Sequence, residues 1–284
     1  MATTVMKTSL KHIVGAAFAV AAISAHAGNV LIVLSDSGSL DLKDRKVFQT
    51  GFYLNELMVP VSALMEAGHK ITFATPTGRV PSLDRTSVNP MYFGGDVDAM
   101  NSAKQRLDAL KITSAEGSPV ASLSEIEKTG FDHFDAVYVP GGHAPMQDMP
   151  TSPVLGRLFK YMHQAGKTTV LECHGPIALL STLDDPAAFT RQLATGGVER
   201  RPNWTYADYR MTVISDREEE ASKGILGGGA MKYWPEDALS AAGASFSSAS
   251  ALWAPYMVVD RELITGQNPA SAGLVAAELV KRLK

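Results

Sequence analysis

Cysteine is all but missing: the 284 residues contain one, Cys173. No disulfide can close within the chain, so the fold rests on packing alone and the single thiol needs its own explanation. An excess of one charge is missing too. The 26 Lys and Arg against 29 Asp and Glu leave a formal charge of −3, with no basic stripe and no helix-turn-helix pattern. That balance speaks against nucleic acid, whose binders carry a basic face. Beyond the N-terminus no run approaches the roughly 20 apolar residues a membrane helix needs. Repeats, low-complexity tracts and linkers rich in Gly, Pro or Ser are absent, which favours one domain over several. At 45% hydrophobic and 19% charged, the chain has the composition of one that buries a sizeable core.

What is present begins with an address. Lys7 and Lys11 form a basic start, Ile13 to Ile23 an apolar run, and Ala25-His26-Ala27 a small-x-small pattern. In that order they read as a secretory signal, residues 1–27, cut after Ala27. The expected mature chain has 284 − 27 = 257 residues, exported to the periplasm or secreted, with no membrane segment left once the signal is gone.

Short apolar runs then alternate with helical patterns. Strands are expected at Val30–Ser35, Lys70–Thr75, Asp135–Val139, Thr168–Glu172, Arg210–Ile214, Tyr256–Val259 and Leu263–Thr265. Helices are expected at Thr50–Ala67, with a kink or shifted start at Pro60, at Ser152–Ala165 and from Gly175, with a last one opening at Asn268-Pro269. The order strand, helix, strand implies a parallel sheet, hence one α/β, doubly wound domain over residues 28–284 with helices on both faces. Residues 79–130 are less regular, with a helical patch around Ala99 to Leu110, and read as an insertion or cap beside the sheet.

Cys173 ends an apolar strand and is followed by His-Gly-Pro and a helix. A residue in such a tight strand-to-helix turn projects its side chain above the sheet edge, at the carboxyl end of the strands where α/β sheets bind ligands. The positive end of the following helix favours a thiolate, so a thiol titrating below the ordinary value is expected. Pro140-Gly141-Gly142-His143 closes the neighbouring strand and offers close backbone approach and amide donors for an oxyanion. A thiol nucleophile needs a base and the base an orienter: His174 is the candidate base, and one of Glu218, Glu219 and Glu220 the orienter. Glu56 sits inside an otherwise apolar helix near the same sheet edge. If buried there it would have a raised pKa and could hold or pass a proton.

These residues match a known pattern. Thr50-Gly-Phe-Tyr-Leu-Asn-Glu56 with Pro60, Ala74-Thr-Pro-Thr-Gly78 with Asp84 and Ser87, Val139-Pro-Gly-Gly-His143, Glu172-Cys-His-Gly-Pro176, Glu218-Glu-Glu220 and Ile264-Thr-Gly-Gln-Asn-Pro-Ala-Ser271 occur in one order along the mature chain. The chain thereby resembles the DJ-1/PfpI superfamily, especially its Hsp31-like, glutathione-independent glyoxalase branch. The resemblance implies a flavodoxin-like, class I glutamine amidotransferase-like fold. It implies Cys173 as nucleophile, Glu56 as the acid beside it, His174 and Glu218 as the other triad members, and an oxyanion hole at Gly142, with Gly141 beside it and the His174 backbone opposite.

It further implies a homodimer acting on a small 2-oxoaldehyde or a glycated group, with no cofactor and no metal because the redox change is internal. The family also counts deglycases, holdase chaperones and peptidase-like members. A cysteine amidase is disfavoured, since no His-x-Glu pair lies far downstream of Cys173. A holdase needs an exposed apolar patch, for which residues 86–110 are the candidate. Glu172 departs from the small or apolar residue usual before the cysteine. Turned inward, it would raise the thiol pKa.

Overall fold

The computed structural model describes Met1, residues 27–198 and residues 203–284. The expected signal segment, its two end residues aside, lies outside them. Seven strands form the central sheet in the order Met257–Asp260, Leu263–Gly266, Thr168–Glu172, Ala136–Val139, Asn29–Val33, Lys70–Thr75, Ala121–Ser122. Every pairing is parallel except the hairpin between Met257–Asp260 and Leu263–Gly266. Successive side chains of a strand point to opposite faces, and the first strand feeds two cores in this way. Leu31 and Val33 enter one with Leu158, Phe159 and Ile177. Val30 and Ile32 enter the other with Leu57, Val61, Leu64 and Leu279. Helices Leu54–Glu66 and Ala272–Arg282 pack together on the second face, while Pro153–Gln164 covers the first. Each fully buried leucine in these layers contributes about 2 kcal/mol by leaving water. This is the doubly wound α/β architecture the sequence implies.

Four local differences have physical causes. The first helix begins at Leu54 rather than Thr50. Phe52 is held extended, its amide donating to the Ser82 carbonyl and its carbonyl accepting from the Asp84 amide, both at 2.9 Å. Pro60 lies inside the helix, and its missing N–H releases the Glu56 carbonyl four residues earlier. That carbonyl accepts instead from the Tyr138 hydroxyl. The Arg210 strand ends at Met211 and pairs with Ser245–Phe246 outside the central sheet. Beyond it the Thr212 amide donates to the Thr265 side chain, and the Ile214 amide to the Cys173 carbonyl. Finally, residues 79–130 do not merely lie beside the sheet. They supply its edge strand, Ala121–Ser122, and two helices, Val97–Leu110 and Leu123–Thr129. Among the described residues no helix is long and apolar enough to cross a membrane.

Candidate active site

Cys173 stands where Thr168–Glu172 gives way to a 3₁₀ helix, Gly175–Thr182. Its backbone is left-handed, with φ at +57°, a region that non-glycine residues seldom adopt and that marks functional turns. The elbow is held from both sides: the Cys173 amide donates to Gly266 at 2.9 Å, and its carbonyl accepts from Ile214 at 3.1 Å. The thiol is nearly covered by the protein yet lines a cavity of about 360 Å³.

The two glycines of Pro140-Gly-Gly-His143 make room for this chemistry in different ways. A Cβ on Gly141 would lie 2.5 Å from both the Cys173 Cβ and the Glu56 Oε2, so any side chain there would separate nucleophile from acid. Gly142 has a φ of +88°, and a Cβ on it would meet the Gly51 carbonyl at 2.1 Å. The Gly142 amide faces the Cys173 sulfur, while the Gly141 amide faces the Glu56 carboxyl.

Glu56 is fully buried in the first turn of its helix. Three contacts set that turn: Leu54 N–H to Ser87 Oγ at 2.9 Å, Asn55 Nδ2 to the Pro269 carbonyl at 2.8 Å, and Tyr53 N–H to the Gly141 carbonyl at 3.3 Å. Burial pushes Glu56 from 4.5 up to about 8, against a smaller lowering by Cys173 and the Gly141 amide. Neither carboxyl oxygen makes a well-directed hydrogen bond, which suits a neutral acid. Glu172 has turned inward. Its Oε2 accepts from Tyr138 at 2.9 Å, and burial, followed by the neighbouring Glu56, pushes it well up.

Cys173 itself is pushed well above an ordinary thiol, first by burial, then by Glu56, with a smaller contribution from Glu172. The upward direction runs against the depressed thiol expected from the helix terminus. Desolvation wins because a covered sulfur loses solvation that a single short 3₁₀ helix does not replace. A protonated Glu56 removes its own share of the push, because it can then donate to the sulfur instead of repelling it.

His174 Nδ1 lies 3.3 Å from the Cys173 Sγ. Burial lowers its pKa to about 3, so the ring is neutral and presents a nitrogen to the thiol. On its other side Nε2 lies 2.8 Å from Oε1 of Glu219, close but out of line for a formed hydrogen bond. Burial raises Glu219 to about 7.

Glu218, which the resemblance assigns to the triad, is not beside His174. It sits at the third position of a capping box on helix Asp216–Ser222, accepting from the Ser215 amide and hydroxyl at 3.0 and 2.8 Å. Glu219 takes the place expected of Glu218. The signal was legible: Ser215-x-x-Glu218 is a capping-box pattern, which commits Glu218 to the helix start and leaves its neighbour free. Glu220 is exposed and pairs with Lys223.

His143 received no role from sequence. Its ring lies 4.1 Å from that of His174, centroid to centroid, and burial and then His174 hold it neutral, with a pKa of about 3. One ligand atom each from His143, His174 and Glu219 falls within 4.8 Å of the others, a donor set that could hold a divalent cation.

The mouth of the cavity is apolar. Tyr53 and Tyr92 meet edge to face at 5.3 Å, and Met91, Ile214, Ile225, Trp253 and Pro269 complete the wall. Met91 and Tyr92 come from the irregular segment 79–130.

Comparison with known proteins agrees with this fold. Residues 47–211, more than half of the chain, match the family described as ThiJ/PfpI family-like. The chain is 24% identical over 245 residues to the protein/nucleic acid deglycase HchA of Staphylococcus aureus (strain MSSA476), spanning 86% of this chain and 75% of that one. It is 25% identical over 256 residues to the glutathione-independent glyoxalase hsp3101 of Schizosaccharomyces pombe, spanning 89% of this chain and 95% of the relative. The crystal structure of glyoxalase III from Candida albicans shares the fold at a TM-score of 0.67 and 21% identity, over 91% of this chain and 98% of that one.

Proposed function

From a chain that belongs to the ThiJ/PfpI-like family, we propose a glutathione-independent glyoxalase that converts a 2-oxoaldehyde such as methylglyoxal to a 2-hydroxy acid such as lactate. Its relatives include glyoxalases and deglycases by name, which supports enzymatic chemistry on small carbonyl or glycated groups. The observation that carries the finer reading is the trio at the elbow. A thiol with a neutral imidazole nitrogen at 3.3 Å on one side and a buried, protonated carboxyl on the other is what an internal proton transfer requires.

In the proposed reaction the Cys173 sulfur adds to the aldehyde carbon and its proton passes to His174. The aldehyde oxygen becomes a hemithioacetal oxygen, held near the Gly142 amide. A base in the site removes the proton on that carbon, giving an enediol, and a proton is delivered to the adjacent carbon. The first carbon is thereby oxidised to a thioester and the second reduced to an alcohol, so electrons balance within the substrate. Water cleaves the thioester, restoring the thiol and releasing the acid, and the net change is addition of one water. Glu56 and His174 are the groups placed to move these protons. Glu219 orients His174.

The test is incubation of purified protein with methylglyoxal and assay for lactate. Wild type should turn over and Cys173→Ala should fall to background. Absence of turnover with every 2-oxoaldehyde and glycated amine tried defeats the reading. Suppression of client aggregation that survives in Cys173→Ala beside absent turnover points to a holdase instead.

A further inference from the structure

Glu218 is a fully buried carboxylate that the reaction above does not use, yet it gathers an unusual number of donors. Besides Ser215, it accepts from Gln267 Nε2 at 2.8 Å, from Asn268 Nδ2 at 2.8 Å and from the backbone amide of Trp253 at 3.0 Å. Trp253 has a φ of +62°, a left-handed conformation that a bulky side chain holds only when its surroundings impose it. The surroundings do so from several directions. Asn268 Nδ2 also donates to the Ala254 carbonyl at 2.9 Å. Gln267 Oε1 accepts from the Ala249 amide at 2.8 Å, and Arg217 donates to the Ser250 carbonyl at 3.1 Å. Segment 249–254 is thus gripped at four backbone groups by residues adjoining the nucleophile's own shell. Trp253 stays 42% exposed and lines the cavity beside Cys173. Met91, 68% exposed, and Ile225, 44% exposed, stand on the same rim. Exposed aromatic and aliphatic side chains around a nucleophile are not needed to support the fold. A cavity of about 360 Å³ falls within the range of roughly 300–1,000 Å³ that holds drug-sized ligands, far more than a three-carbon aldehyde fills.

We propose that Trp253 is the specificity-determining wall of this site and Glu218 its positioning residue, and that the site takes 2-oxoaldehydes bearing an apolar substituent larger than methyl. The substrate class rests on the glyoxalase reading; the wall itself does not. The substituent lies against the Trp253 ring and between Met91 and Ile225 while the aldehyde carbon meets the sulfur. Glu218 acts only through the loop, by fixing where the ring stands.

Two readouts separate the parts. Initial rates with phenylglyoxal and methylglyoxal give a selectivity ratio of kcat/KM. Alkylation of Cys173 by N-benzyliodoacetamide and by iodoacetamide gives a second ratio that needs no turnover. Wild type should favour the aryl compound in both. Trp253→Ala should lower both ratios about tenfold, equivalent to about 1.4 kcal/mol, with the phenylglyoxal loss carried by KM. Trp253→Phe should retain most of the preference. Glu218→Gln should move both ratios in the direction of Trp253→Ala, whereas a triad residue would depress both substrates by one factor and leave the ratio in place. Because Glu218 is buried, Arg217→Ala provides a second loosening of the same loop and should shift the ratios the same way to a smaller extent. Unchanged ratios in Trp253→Ala overturn the wall. Lowered ratios in Trp253→Ala with wild-type ratios in both Glu218→Gln and Arg217→Ala overturn the positioning role. An alkylation preference that Trp253→Ala abolishes, beside no turnover of either oxoaldehyde, upholds the wall and defeats the glyoxalase reading.

Discussion

Replacing Glu56 by Gln should make this protein more stable at alkaline pH while removing most of its activity. The carboxyl is fully buried, and burial moves it from 4.5 to about 8. An acid whose folded-state pKa is raised contributes stability that is whole below the unfolded pKa and is lost as pH rises through the folded one, because the unfolded chain releases its proton first. The window runs from about pH 4.5 to about pH 8. At about 1.36 kcal/mol per pH unit, a pKa raised from 4.5 to about 8 corresponds to about 5 kcal/mol. Gln keeps the shape of the neutral acid and cannot ionise, so the variant escapes the loss.

At pH 5 the two proteins should therefore differ little, and at pH 9 the variant should be ahead by several kcal/mol. For a domain of this size that is roughly 10 °C or more in Tm. Urea unfolding or thermal melts at pH 5, 7 and 9 measure it. Turnover of 2-oxoaldehyde should fall about 100- to 10,000-fold, the range of a general acid–base contribution. The thiol reports on the same charge: with the carboxylate gone, alkylation of Cys173 should titrate at lower pH than in wild type. A stability difference between variant and wild type that is the same at pH 5 and pH 9 would refute the burial argument. So would a Cys173 titration that moves upward.

Two further outcomes follow from the site and from the proposed leader. A glyoxalase that needs Glu219 ionised and Glu56 protonated should show a bell-shaped pH–rate profile, rising through about 7 and falling through about 8. Glu219→Gln should erase the acid limb and cost up to roughly 100- to 10,000-fold in rate; a variant that keeps the wild-type profile removes Glu219 from the site. Cleavage after Ala27 is proposed for the exported protein, and mass spectrometry should find Gly28 at its N-terminus; a chain that retains Met1 after export refutes the cut.

Much of this protein is written locally. Strand runs such as Thr168–Glu172, the turn at Cys173-His-Gly-Pro and the glycine pair after Val139 are short-range patterns, and the period of their apolar residues fixes which face each strand gives to a core. From them the parallel sheet and the placing of Cys173 beside Gly141 and Gly142 follow almost directly. The choice between Glu218 and Glu219 was also local in part, because the capping box reads from Ser215. What the sequence does not contain is orientation between elements. Successive helical residues point about 100° apart, so which glutamate meets His174 depends on how helix Asp216–Ser222 rolls against the sheet edge.

Orientation also made a wall of Trp253. Its neighbours Glu218, Gln267 and Asn268 come from distant parts of the chain, and nothing in the local sequence marks the left-handed turn they impose. The thiol was decided the same way. The sequence places Cys173 at a positive helix end, which lowers a thiol. Only the packed structure sets the burial and the adjacent carboxyl that raise it. Ionisation depends on every charge and every excluded water within several ångströms, whatever their separation along the chain, and tertiary packing alone brings them that close.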